Sequence, residues 1–203
     1  MASDHQPRFI VIEGLDGSGT TTQAGLIAEA LKARDLPVLV TAEPSDGPVG
    51  ALLRAHLRGE ITLGPQAAAL AFTADRADHL ERVIRPALGD GYQVICDRYL
   101  LSTLAYQGAE GVSRQAILDA SEGFDVPDVT VYLDPPEVDR ATRLDARERR
   151  ERYETPELAD SLRASYEASI ALLRAHGHRI EVVTEPGRPS DVLGAVLLAI
   201  DAE

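Results

Sequence analysis

The run Gly14-Leu15-Asp16-Gly17-Ser18-Gly19-Thr20-Thr21-Thr22 has the spacing G-x-x-x-x-G followed by hydroxyl side chains. Between a strand and a helix, such a loop lets successive backbone N–H groups curl around a phosphate, and the helix N-terminus adds partial positive charge. In the P-loop pattern G-x-x-x-x-G-K-[ST], Thr21 takes the hydroxyl position that holds magnesium, and the lysine position is Thr20. A bare glycine-rich strand-to-helix turn is the competing reading. Loss of one charge-assisted contact weakens ground-state phosphate binding by about 1.5–3 kcal/mol. If the contact strengthens in the transition state, the rate falls roughly a hundredfold. Lys32 is the single lysine and lies about three turns along the following helix, too far to reach back.

A replacement cation must therefore come from arginine. Between Arg140 and Arg152 stand six arginines (140, 143, 147, 149, 150 and 152) against Asp145, Glu148 and Glu151, a local excess of three positive charges. The chain as a whole carries −13, which argues against a general nucleic-acid-binding surface. A basic island in an acidic chain marks either a dock for an anion or a solvated helix face laced with i,i+4 pairs. Cys96 is the only cysteine, so disulfide pairing within the chain and cysteine-based metal clusters are excluded. Its apolar neighbours Val94 and Ile95 make it a buried thiol. No apolar run reaches the roughly eighteen residues that span a bilayer, and the start MASDHQPR lacks a signal-peptide core. The expectation is a cytoplasmic protein with no membrane partner.

The elements that must position these groups are legible as alternating runs. Short, continuously apolar segments at Phe9–Ile12, Val38–Val40, Tyr92–Cys96, Val129–Leu133 and Ile180–Val183 read as strands. Continuous rather than alternating hydrophobicity fits strands covered on both faces, as in a parallel sheet. Helical runs fill the gaps at Thr20–Arg34, Pro48–Leu57, Pro65–Leu88, after Cys96 to about Ala120, from Pro136, at Pro156–His176, and at the end up to Ile200 with Ser190 as its cap. The pattern predicts one α/β domain over residues 1–203, a doubly wound five-stranded parallel sheet with helices on both faces. In such sheets ligands bind beyond the carboxyl ends of the strands.

Four blocks placed just after those strands resemble the thymidylate kinase family of P-loop nucleoside monophosphate kinases. They are Glu13 to Gly19 with Thr21; Thr41-Ala42-Glu43-Pro44 followed by Arg54; Phe72-Thr73-Ala74-Asp75-Arg76; and Asp97-Arg98-Tyr99 with Ser102, Thr103, Tyr106, Gln107 and Gly108. The last is similar to the family's D-R-[YH]-x-x-S-x-x-A-Y-Q-G and is the most specific.

The resemblance implies a donor site for ATP on Gly14 to Thr22 and an acceptor site for dTMP. The acceptor site would be built from Asp16, Glu43, Arg54, Phe72, Arg76, Arg98, Ser102, Thr103, Tyr106 and Gln107. Arg98, Arg76 and Arg54 suit a monophosphate, because a guanidinium fork pairs bidentately with phosphate oxygens. Phe72 would stack on the pyrimidine, Gln107 and Thr103 would read its polar edge, and Tyr106 would pack beside the sugar. Asp16 and Asp97 are strand-end carboxylates that either orient the arginines or hold magnesium-bound water; Thr21 and Asp97 are the implied metal positions, with Mg2+ as cofactor.

Leu133-Asp134-Pro135-Pro136-Glu137 resembles the family's strand-end L-D-x-x-P-E, which puts the arginine island at the lid, residues 140–153. Gly17-Ser18 offers no basic residue within the loop, so the chain resembles the lid-arginine type. Arg147, Arg149 and Arg150 would join Asp16 and Arg98 as catalytic groups. Thr20 for lysine and Ala42 for the arginine of T-R-E-P are departures from the family. They keep two alternatives open: a catalytically impaired nucleotide-binding relative with a regulatory role, and a kinase for another nucleotide or a deoxynucleoside. Family members are homodimers, and the apolar periodicity of Ala67–Leu88 fits either such an interface or the core.

Overall fold

The computed structural model describes residues 6–137 and 156–202. Five strands form one sheet: β1 (Phe9–Gly14), β2 (Val38–Ala42), β3 (Gln93–Asp97), β4 (Val129–Leu133) and β5 (Ile180–Val183). Their order is β2-β3-β1-β4-β5, and every pairing is parallel. The helices are α1 (Thr20–Lys32), α2 (Pro48–Leu57), α3 (Pro65–His79), α4 (Arg85–Gly89), α5 (Leu100–Ala109), α6 (Arg114–Ala120), α7 (Pro156–Ala175) and α8 (Pro189–Asp201). The doubly wound parallel fold expected from the apolar runs is the fold observed.

Alternation along the strands serves two cores. Ile10, Ile12, Ile95, Val129, Val131 and Leu133 pack with Ile27 and Leu31 of α1 and with Val196 and Ile200 of α8. Phe9, Val11, Val94, Cys96 and Tyr132 face the other way, against Leu101 and Leu104 of α5 and against Tyr166 and Leu173 of α7. The three central strands β1, β3 and β4 are thus sandwiched, which is why their sequences read as near-unbroken hydrophobicity, while the edge strands β2 and β5 are only partly covered.

Several boundaries differ from the sequence reading. The Pro65–Leu88 run is not one regular helix, because it widens to a π-helix over Leu80–Ile84. Pro86 has no N–H to give the Arg82 carbonyl, and the wider turn instead lets the Arg85 N–H reach the Leu80 carbonyl. α8 starts at Pro189 rather than after Ser190. Proline's fixed φ suits a first helical position, and the Asp191 carboxylate accepts the Arg188 backbone N–H at 3.3 Å. The stretch after β3 breaks into α5 and α6 at Gly111, whose φ of 90° only glycine adopts readily. The helix expected from Pro136 and the arginine island lie, beyond Glu137, outside the described residues.

Strand register brings the chemical blocks together. Ile12 pairs with Asp97, Ala42 with Asp97, and Gly14 with Leu133. The loops after β1, β2, β3 and β4 therefore open on one edge of the sheet.

Candidate active site

The loop after β1 is shaped by backbone constraints. A Cβ on Gly14 would collide with Ser18 Oγ and the Leu133 carbonyl, so only glycine lets β1 turn this close to β4. Gly17 and Gly19 have φ of 82° and 96°. Leu15 buries its side chain in the core, and the Ser18 N–H donates to its carbonyl at 3.0 Å. Leu15 thus anchors the loop, and only its backbone is on offer to a phosphate. Thr20 opens α1, with Thr21 and Thr22 in the first turn.

Thr21 Oγ1 donates to Asp97 Oδ2 at 2.5 Å, while Asp97 Oδ1 is buried with no hydrogen-bond partner. A buried carboxylate oxygen without a donor, beside a P-loop hydroxyl, is a fitting place for magnesium-bound water.

Arg98 sits at the centre of the edge. Its φ of 72° is unusual for a residue with a Cβ and costs on the order of 1–3 kcal/mol. The turn is held by Glu13, whose carboxylate accepts from the Tyr99 N–H (2.8 Å), the Ser102 N–H (3.0 Å) and the Ser102 hydroxyl (2.6 Å). Arg98 Nη2 donates to Asp16 Oδ1 at 2.6 Å, and Nη1 donates to the Gly14 carbonyl at 3.0 Å and Ser102 Oγ at 3.2 Å. Tyr106 donates to Asp16 Oδ2 at 2.9 Å, and Tyr166 donates to the Gly14 carbonyl at 3.1 Å. Burial pushes the Glu13 carboxyl up to about 7, against an ordinary value of 4.5, although Ser102, Arg98 and two backbone N–H groups favour its anion. Burial also pushes the phenols of Tyr106 and Tyr166 upward, so both remain donors.

Next to Arg98 opens a pocket lined by Asp16, Glu43, Phe72, Arg76, Thr103 and Gln107, with Pro44, Leu57, Tyr99, Ser102 and Tyr106 completing its wall. Arg76 is fully buried there. Its Nη2 donates to Glu43 Oε2 (2.7 Å) and Thr103 Oγ1 (2.9 Å), and its guanidinium stacks on Tyr99 at 4.7 Å. Nε and Nη1 have no partner. Glu43 is fixed from the other side by His79 Nδ1 at 3.3 Å, whose Nε2 in turn meets Thr41 Oγ1 at 2.7 Å. Arg54 does not line the pocket. Its Nη1 donates to the Pro44 (3.0 Å) and Ser45 carbonyls at the loop after β2.

A second pocket lies across the glycine loop, lined by Ser18, Gly19, Thr22, Gln23, Leu133, Pro135, Val183, Glu185, Pro189 and Val192. Asp16 and Arg98 line the first pocket, and Ser18 and Gly19 of the same glycine loop line the second.

The geometry brings together nine of the ten residues expected at the acceptor site, with Arg54 the exception. Arg147, Arg149 and Arg150 lie outside the described residues. Sequence reasoning passed over Glu13 as a working residue and missed Tyr166, Leu57 and His79. A carboxyl inside an apolar strand was the available signal for Glu13. Tyr166 gave none, being one aromatic in an Ala- and Ser-rich helix.

A glycine loop between β1 and α1, with a pocket centred on Arg76 and Arg98 and another lined by the loop's own Ser18 and Gly19, defines a P-loop phosphotransferase of the small α/β kinase class. Comparison with known proteins narrows the class. The family model for thymidylate kinase matches residues 12–187. A probable thymidylate kinase of Pyrobaculum calidifontis is 43% identical over 194 residues, covering 95% of this chain and 94% of the relative. A thymidylate kinase of Clavibacter sepedonicus is 42% identical over 200 residues, covering 94% and 92%. The structure of thymidylate kinase from Candida albicans superposes with a TM-score of 0.80 at 26% identity, covering 97% of this chain and 92% of that one. The chain belongs to the thymidylate kinase family.

Proposed function

We propose that this chain, as one kinase domain, transfers the γ-phosphoryl group of Mg-ATP to dTMP, giving dTDP and ADP for dTTP synthesis. The observation that carries the reading is Arg76. A fully buried guanidinium with two unpartnered N–H-bearing nitrogens, in a pocket walled by Phe72, calls for a ligand that brings hydrogen-bond acceptors. The carbonyl edge of thymine brings them. Cytosine presents an amino donor at the matching position and leaves Arg76 unsatisfied, and a site built on such bonds discriminates strongly.

Within this reading Phe72 stacks on the base, Thr103 and Gln107 read its edge, and Tyr106 packs beside the sugar. Arg98 holds the acceptor phosphate, Arg54 braces the Pro44 wall of the pocket through the Pro44 carbonyl, and Asp16 and Ser102 set the direction of the Arg98 fork. Glu43 positions Arg76. No base is needed, because the acceptor phosphate is already anionic; the transferred group moves from the bridging oxygen of the donor to a phosphate oxygen of the acceptor. The protein's work is alignment and charge neutralisation. Thr21 and Asp97 would hold Mg2+, which supplies charge neutralisation between the donor phosphates when bound. The loop Gly14 to Thr22 cradles those phosphates with backbone N–H groups, and Arg147, Arg149 and Arg150 close over them and exclude water.

None of the described helices is long and apolar enough to cross a membrane. We place the enzyme in the cytoplasm as a homodimer, with Leu52 and Leu70, exposed on α2 and α3, available for the contact; sedimentation at micromolar concentration checks it.

Acceptor competition tests the substrate. With Mg-ATP in excess, ADP formation with dTMP exceeds that with dCMP, UMP or thymidine by at least about a hundredfold in kcat/KM. Equal rates with dCMP, or a preference for thymidine, contradict the assignment.

A further inference from the structure

The loop presents Thr20 where the P-loop pattern has lysine, so the donor phosphates need a cation from another element. Arg98 is committed to Asp16, Gly14 and Ser102 on the acceptor side. Arg188 sits at the start of α8, held by Asp191. Arg163 of α7 is placed differently. Its Nη1 lies 2.8 Å from Asp134 Oδ1 and 3.0 Å from Oδ2.

Asp134 directly follows β4, whose last residue, Leu133, pairs with Gly14 of the glycine loop. The neighbours on either side of Asp134, Leu133 and Pro135, line the pocket that also contains Ser18, Gly19 and Thr22. One helical turn beyond Arg163, buried Tyr166 bonds the Gly14 carbonyl at 3.1 Å, which pins this face of α7 against the loop. Arg163 is therefore a guanidinium held by a single carboxylate at the β4 strand end, whose neighbours Leu133 and Pro135 line the pocket beside the glycine loop.

We propose that Arg163 exchanges Asp134 for the donor phosphates and adds, from α7, to the positive charge that Arg147, Arg149 and Arg150 bring to a loop lacking its lysine. This rests on the reading of Gly14 to Thr22 as the ATP phosphate loop. Arg163 and Asp134 are 33% and 24% exposed, so their pair is solvent-screened and weakly held. A triphosphate carries more negative charge than one carboxylate and matches the planar fork bidentately. The swap trades one anionic partner for a stronger one and strips no charge of its partner. In ordinary P-loops the lysine reaches the phosphates from within the loop; here the cation would arrive from the helix that packs over it.

Three variants, each checked by circular dichroism, decide the matter through steady-state kinetics and calorimetric affinity for Mg-ATP. Arg163→Gln lowers kcat/KM for ATP by about a hundredfold and weakens ATP binding, with the KM for dTMP changed less than about twofold. Asp134→Asn breaks the same ion pair yet leaves the arginine, and keeps activity within about threefold of the natural protein. Thr20→Lys, added to Arg163→Gln, recovers at least tenfold of the loss. Equal damage from Arg163→Gln and Asp134→Asn makes the pair structural and overturns the proposal, as does full activity in Arg163→Gln or absence of rescue by Thr20→Lys. If the natural protein turns over no dTMP, the kinase reading itself fails, and ATP affinity alone then decides on Arg163: unchanged affinity in Arg163→Gln overturns it.

Discussion

Glu13 shows how much of this site depends on one buried side chain that never needs to touch a substrate. It accepts three hydrogen bonds from the segment carrying Arg98, and so holds an arginine in a backbone conformation that side chains with a Cβ avoid. Burial lifts its pKa from 4.5 to about 7. The fold therefore favours the protonated form. That contribution to stability is complete below about pH 4.5 and is lost as pH rises through 7. The span corresponds to about 3 kcal/mol. Denaturant unfolding from pH 4.5 to 8 should show the natural protein losing about that much relative to Glu13→Gln, most of it between pH 5 and 7. Parallel curves for the two proteins would mean that Glu13 does not titrate there. Residues of this kind were only half legible. Arg98, Tyr106, Phe72 and Gln107 announced themselves by joint spacing, whereas the Glu13 carboxyl is visible only once Tyr99 and Ser102 fold over it.

At the scale of elements, the glycine loop and the strands beneath it act as one part. The sequence reading located the central strands because burial on both faces leaves an unbroken apolar run and the partly covered edge strands by their short β-branched runs, and it located the loop because glycine spacing is itself a backbone constraint. It missed the π-helical turn at Leu80–Ile84 and the true start of α8, both set by a proline's missing N–H or fixed φ and both invisible to periodicity. The close approach at Gly14 was not readable either, since it depends on register with β4. Gly14→Ala drives a methyl group into the Leu133 carbonyl and Ser18. The expected result is a fall in stability on the order of 1–3 kcal/mol and ATP affinity reduced by at least about tenfold. Thermal melts with and without Mg-ATP give both numbers. Unchanged ATP affinity would mean that the loop does not cradle the phosphates.

For the whole molecule, one sheet edge carries two pockets, one lined by Asp16, Phe72, Arg76 and Arg98 and one lined by Ser18, Gly19 and Thr22 of the glycine loop, and two nucleotide-sized sites meeting at one loop favour phosphoryl transfer over nucleotide storage. The family's loop lysine is absent, so binding and turnover must be separated experimentally. Purified protein should be mixed with Mg-ATP and dTMP, and dTDP and ADP quantified together over time. The expected result is that dTDP appears in step with ADP, one for one, and that no ADP forms without dTMP. Tight binding of dTMP with no dTDP produced would contradict it and mark the chain as a nucleotide-binding relative that no longer catalyses transfer.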